Sequence, residues 1–209
     1  MEEDQYTNQW SVINFTKYQL RIIKATLLVF SKRGILNTTA EEIAQMAGIR
    51  KSTIFYHFKS MEKLYDNIFK YLQNRMRFEM FSDVGLQKGT ENTLKYLWMK
   101  RASWGIENPD AMRFIFTMYA LEENDRIEID RPLLRIIHNG IISSQLTNYN
   151  NTHIACMFYA GNNSIILSLI GKRYYYKKEI TIIKKSFESF YETVRFKKKL
   201  EDYEDFYWK

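Results

Sequence analysis

The chain has 209 residues, room for one large or two small domains, and its 45% hydrophobic and 16% aromatic content is ample for a packed core. Two prolines and eight glycines exclude the turn-dense punctuation of an all-β fold, and the single cysteine, Cys156, excludes an intrachain disulfide and fits a reducing compartment. The net charge of +7 favours a polyanionic partner, and residues 15–63 alone carry nine Lys/Arg against three acids.

Residues 1–14 read as a polar N-terminal arm, in which Trp10 and Ile13 could dock on a neighbour. The start lacks the basic residues and apolar run of a signal peptide, and no apolar run reaches membrane-spanning length, so the expectation is a cytoplasmic protein with no membrane partner. A first helix is predicted over about 16–33, where Leu20, Ile23, Leu27 and Phe30 step by three and four. Lys17, Arg21 and Lys24 project from its other faces, and Gly34 ends it.

The stretch 38–58, TTAEEIAQMAGIRKSTIFYHF, reads as two short helices around a tight turn. Thr39 and Glu42 have the spacing of a capping box, in which each side chain satisfies a free amide of the other residue. Ile43, Ala44 and Ala47 form an apolar face, and Gly48 supplies the positive φ that ends a helix sharply. Ile54 and Phe58, four apart, anchor the second helix inward. Its outer side then holds Arg50, Lys51, Ser52, Thr53, Tyr56 and His57, donors and small polar groups on a rod narrow enough for a DNA major groove.

A fourth helix is predicted from Ser60 to about Phe81, with Leu64, Ile68 and Leu72 inward. Further helices are expected over about 90–106, from Asn108-Pro109 onward with Asn as cap, and from Arg131-Pro132 to about Gln145. The last two are expected over about 152–170 and 179–198. A charged loop, 122–130, and a polar loop, 148–151, separate some of them; residues 172–176 could pass for a strand but would have nothing to pair with. The expected fold is all-α, about nine helices, with domain limits at 15–62 and 63–209.

Enzyme signatures are missing: there is no Gly-rich phosphate loop, HExxH, cysteine pair or G-x-S-x-G elbow, and no cofactor or metal site is expected. Two stripes step by three or four. Ile154, Phe158, Gly161, Ile165 and Leu169 form one, and Ile183, Phe187, Phe190 and Val194 the other. Gly161 would admit a facing helix; either both stripes face the chain's own core or they form a four-helix interface between two chains.

Residues 17–70 resemble the N-terminal domain of the TetR family of bacterial transcription regulators. The resemblance rests on Ile22-Ile23-Lys24-Ala25, Phe30, Gly34, Thr38-Thr39, Glu42-Ile43-Ala44, Ala47-Gly48-Ile49, Thr53–Phe58, Ser60, Glu62 and Leu64. It implies a homodimeric repressor on a near-palindromic double-stranded DNA operator, in a bacterial cytoplasm and nucleoid-associated when bound, with Thr39 joining the outer residues of the second helix as DNA contacts. It also implies a second, helical domain that holds a small effector and joins two chains through the four-helix interface of both stripes. Trp98, Trp104, Phe116, Tyr119 and Phe158 offer aromatic lining, Asn162 a polar group to orient the ligand, and an apolar or aromatic effector is expected. Three positions depart from the family pattern: Arg50 replaces a small N-capping residue, Phe55 a tyrosine, and Met61 a phosphate-binding lysine. These departures support a rival reading, a helical ligand-binding or interaction protein that no longer uses DNA.

Overall fold

A computed structural model of the chain describes residues 15–121, 130–170 and 176–196, with the side chains of 176 and 177 left aside. The expected N-terminal arm, most of the charged loop, the 172–175 part of the strand-like stretch and the tail from 197 lie outside the described residues.

Among the described residues there are nine α-helices, two short 3-10 turns and a single isolated β-bridge. Helix α1 spans Lys17–Arg33, α2 Ala40–Ala47, α3 Lys51–Phe58 and α4 Met61–Phe81. Then follow α5 (Thr90–Glu107), α6 (Pro109–Leu121), α7 (Arg131–Ile142), α8 (Asn151–Leu169) and α9 (Tyr176–Val194).

Helices α1 to α3 form a small unit around Ile22, Ile43, Ile54 and Phe58, all buried, with α1 packed across α2. Its core is continuous with that of the other helices. Helix α1 also packs on α6, where Phe30 meets Phe114 edge-on with ring centroids 5.1 Å apart. Helix α4 continues out of this unit and packs on α5 and α6.

Local chemistry sets the helix ends. The complete capping box is at Thr16 rather than Thr39: the Thr16 amide donates to Gln19 Oε1 at 2.9 Å and the Gln19 amide to Thr16 Oγ1 at 3.3 Å. At α2 only half the box forms. The Glu42 amide donates to Thr39 Oγ1, while the Glu42 carboxylate accepts the Thr39 hydroxyl and the Arg33 guanidinium instead of the Thr39 amide. Asn108 spends its side chain on α5, donating to the Trp104 carbonyl at 2.9 Å, and so closes that helix.

Helix α7 stops at Ile142, short of the expected Gln145, because the Gly140 carbonyl takes the amides of Gln145 and Leu146 around a turn with Ser144 at φ 56°. Helix α9 stops at Val194, short of the expected 198. There the Thr147 amide bonds the Val194 carbonyl and the Phe196 amide the Gln145 carbonyl, so the backbone turns into the small bridge.

Candidate functional site

The turn between α2 and α3 is built by Gly48, in the left-handed conformation at φ 60° and ψ 44°. The Gly48 amide bonds the Gln45 carbonyl and the Ile49 amide the Ala44 carbonyl, a Schellman closure that only a residue tolerant of positive φ permits cheaply. A Cβ on Gly48 would also come within 2.8 Å of Arg21 Nη2, which lies over the turn.

Helix α3 then leaves at a fixed angle, held by buried Ile54 and Phe58. Arg50 caps it without a side-chain hydrogen bond, as its size and charge dictate. Arg50, Lys51, Ser52 and Tyr56 are exposed, Tyr56 by 74%, while Thr53 and His57 are half-buried and Thr39 is exposed at the start of α2. All seven expected DNA-contact residues thus lie on the turn or its two helices, four of them exposed on α3 and its cap.

Two features of this face are not evident from the sequence pattern. Lys51 Nζ pairs with the Glu41 carboxylate of α2, holding that carboxyl below its ordinary range, and also lies 5.9 Å from the centre of the Phe55 ring. His57 is stacked on Tyr18 of α1, centroids 6.5 Å apart and planes 13° apart, which fixes the imidazole at the edge of the face. Helix α3 ends at Lys59, a non-glycine residue at φ 68° and ψ −46°. The Ser60 amide donates to the Phe58 carbonyl at 2.8 Å across it, so a γ-turn joins α3 to α4. Met61 opens α4 half-buried against the core, with Lys59 and Lys63 exposed on either side.

The helical body holds a second constellation. Arg101 on α5 is 2% exposed; its Nη1 donates to Asn162 Oδ1 of α8 at 2.7 Å and its Nη2 to Asn163 Oδ1. Asn162 donates in turn to the Trp98 carbonyl at 2.9 Å. Tyr159 of α8 lies with its ring 5.2 Å from the Arg101 guanidinium carbon and gives its hydroxyl to Asp130, ahead of α7. Asp130 also takes Arg77 Nε of α4 at 2.6 Å. Tyr119 accepts from Gln73 Nε2 at 2.8 Å. Burial lowers the Arg101 pKa and raises those of Tyr119 and Asp130; Arg77 opposes the rise at Asp130. Tyr159 is pushed well above its ordinary value, by burial first and then by the neighbouring Asp130 charge.

The expected ligand-lining residues are not gathered in one place. Trp98 is sealed in the core, stacked on Phe190 at 5.2 Å, edge-on to Phe158 at 5.2 Å, with Nε1 donating to Ser186. Phe158 has no exposure and Trp104 is buried. Phe116 instead lines an open groove of about 410 Å³ between α1, α6 and α8, with Phe30, Ile35, Arg113 and Leu167. Of the six expected residues only Tyr119 and Asn162 belong to the polar constellation.

The expected interface stripes lie largely within the chain's own core. Ile154, Phe158, Phe187 and Val194 have at most 1% exposure within a single chain, Phe190 is buried, and Gly161 and Ile165 are half-buried. A side chain already buried by its own fold has no surface left to cover a partner. Gly161 does admit a close approach, but of Trp98: a Cβ there would meet Trp98 Cη2 at 2.8 Å. Arg77, Arg101, Asp130 and Tyr159 did not stand out in the sequence. The available signal was Arg101 itself, a charge three residues after Trp98 on an apolar helix face.

Among the described residues no helix is long and apolar enough to cross a membrane, and no three His, Cys, Asp or Glu side chains cluster as a metal site.

A short helix, a glycine turn and an anchored helix with an open polar face define a helix-turn-helix unit, carried here on an all-helical body. The sequence model of the bacterial regulatory proteins of the tetR family matches residues 22–68, the part of the chain that holds the helix-turn-helix unit. A 44-residue segment (21% of the chain) is 48% identical to YerO of Bacillus subtilis, an uncharacterized HTH-type transcriptional regulator, covering 15% of that protein. A 58-residue segment (26% of the chain) is 34% identical to IcaR of Staphylococcus aureus, a negative transcriptional regulator of the biofilm operon icaADBC, covering 31% of it. The chain therefore spans less than two thirds of these relatives. The fold extends further: a TetR family transcription regulator from Marinobacter aquaeolei superposes over 86% of this chain and 96% of its own, with TM-score 0.73 at 15% identity.

Proposed function

We propose that the chain is a sequence-specific DNA-binding transcriptional regulator that acts as a homodimeric repressor and leaves its operator when a small effector binds the helical body. The observation that carries this is the open row Arg50, Lys51, Ser52 and Tyr56 on a helix pinned by buried Ile54 and Phe58, inside a tetR-family match. Two such helices, one per protomer, would enter successive major grooves about 34 Å apart on a near-palindromic site. Residues 15–62 serve as the reader and 63–209 as the effector and dimerisation part.

Dimerisation is assigned to the outer faces of α8 and α9, where Ala160, Ser164, Leu167, Ile182 and Ser189 are exposed while their inner faces are consumed by the core. An effector favours release only if it binds the DNA-incompetent form more tightly, since equal affinity for both forms shifts nothing. The test is binding of the full chain to a fragment from upstream of its own gene. Lys51→Ala and Tyr56→Ala should each weaken binding by about 1–3 kcal/mol per lost contact while leaving helicity unchanged. Parent-like affinity in both variants would remove α3 from the interface.

A further inference from the structure

Arg101 is the one described side chain with a buried polar atom that has no hydrogen-bond partner: its Nε. Asn162 and Asn163 occupy one donor on each terminal nitrogen, and both are neutral. The carboxylate whose charge acts on it, Asp130, is already bound by Arg77 and by the Tyr159 hydroxyl. A guanidinium does not give up its proton in a protein, and a buried cation is costly unless it is paired. Asn162 is itself held by the Trp98 carbonyl, and Tyr159 is held by Asp130, so the groups around Arg101 are fixed before any ligand arrives. This is a preformed half of an ion pair, joining α5 to α8.

From this geometry we infer that the effector is a small monocarboxylate with an apolar or aromatic body, whose carboxylate is taken side-on by Nε and a terminal nitrogen of Arg101. Side-on pairing supplies two parallel charge-assisted hydrogen bonds and satisfies the orphaned Nε. One uncompensated guanidinium calls for one negative charge; a dianionic phosphate would leave a buried excess. The inner faces nearby, with Tyr119 and Tyr159, supply ring surface for the body. A bound carboxylate would also bear on the chain Tyr159–Asp130–Arg77, which ends on α4, the helix that leaves the reader.

This rests on the reading that the helical body holds an effector, and it is tested without DNA, so failure of the operator reading leaves the test intact. The melting midpoint of the full chain is measured at constant ionic strength with benzoate or hexanoate at about 10 mM, against benzamide or hexanamide. That concentration is ~100-fold above a Kd of ~0.1 mM and so stabilises visibly. The carboxylates should raise the midpoint by several degrees and the amides should not; Arg101→Met, which removes the charge at similar volume, should abolish the difference. If R101M does not fold, Arg101→Lys replaces it, and its point-like ammonium should shrink the shift. Equal responses to acid and amide in the parent, or a parent-sized carboxylate shift in either variant, would overturn the inference.

Discussion

At the residue scale, Lys51 and Met61 show how charge is allotted on the reader. Lys51 is tied to Glu41 across the α2–α3 turn, but both groups are largely open to solvent, and such a pair is worth little. A phosphate or a guanine edge can therefore displace Glu41 at small cost. Met61 is different, because it lies half-buried at the start of α4 where the family resemblance implies a phosphate-binding lysine. Replacing it with lysine adds a cation at the first residue of α4. Met61→Lys should tighten binding to specific and random duplexes alike and leave their ratio nearly unchanged, since phosphate contacts position and do not specify. The slope of log affinity against log salt should steepen by about 0.9 per restored contact in each subunit. A titration with an unchanged slope would place the start of α4 away from the backbone.

At the element scale, α5, α8 and α9 are locked together by Trp98. Its ring meets Phe158, Phe187 and Phe190, and Gly161 lets α8 come down on its edge. A ring stacked on one side and met edge-on from others cannot yield to a new methyl group. Gly161→Ala should therefore destabilise the single-chain fold by about 1–3 kcal/mol, the usual penalty of overpacking. The effect should appear in denaturation midpoints without concentration dependence; a shift that vanished at high protein concentration would instead put Gly161 between two chains.

The same elements show what the sequence could convey. The 3–4 spacing of Ile154, Phe158 and Ile165 correctly marks an apolar face. Periodicity, however, reports only that a face is buried, not whether the chain itself or a second copy covers it. The α2–α3 turn was legible because its physics is local: Gly48, the Thr39 cap and the Ile54–Phe58 anchor all act within a few residues. The Arg101 constellation was not, since its partners come from α4, the start of α7 and α8, up to 62 residues away. The full capping box forms at Thr16–Gln19 and not at the acidic spacing after Thr39, where Arg33 draws the Glu42 carboxylate away.

At the scale of the whole molecule, the reader is not a bead on a flexible string. Helix α1 packs on α6 through Phe30 and Phe114, and α4 runs from the γ-turn at Lys59 into the body, carrying Arg77 to its buried partner Asp130. That pair and the γ-turn that ends α3 are therefore joined by one continuous helix. The consequence on DNA is geometric: two readers match an operator only if their separation equals a helical turn of the duplex. The most direct test is selection by the full chain from a pool of randomised duplexes. The account predicts enrichment of one near-palindromic sequence, with half-sites about 10 base pairs apart centre to centre, bound by two copies of the chain. An unenriched pool, or a single half-site bound by one copy, would contradict it.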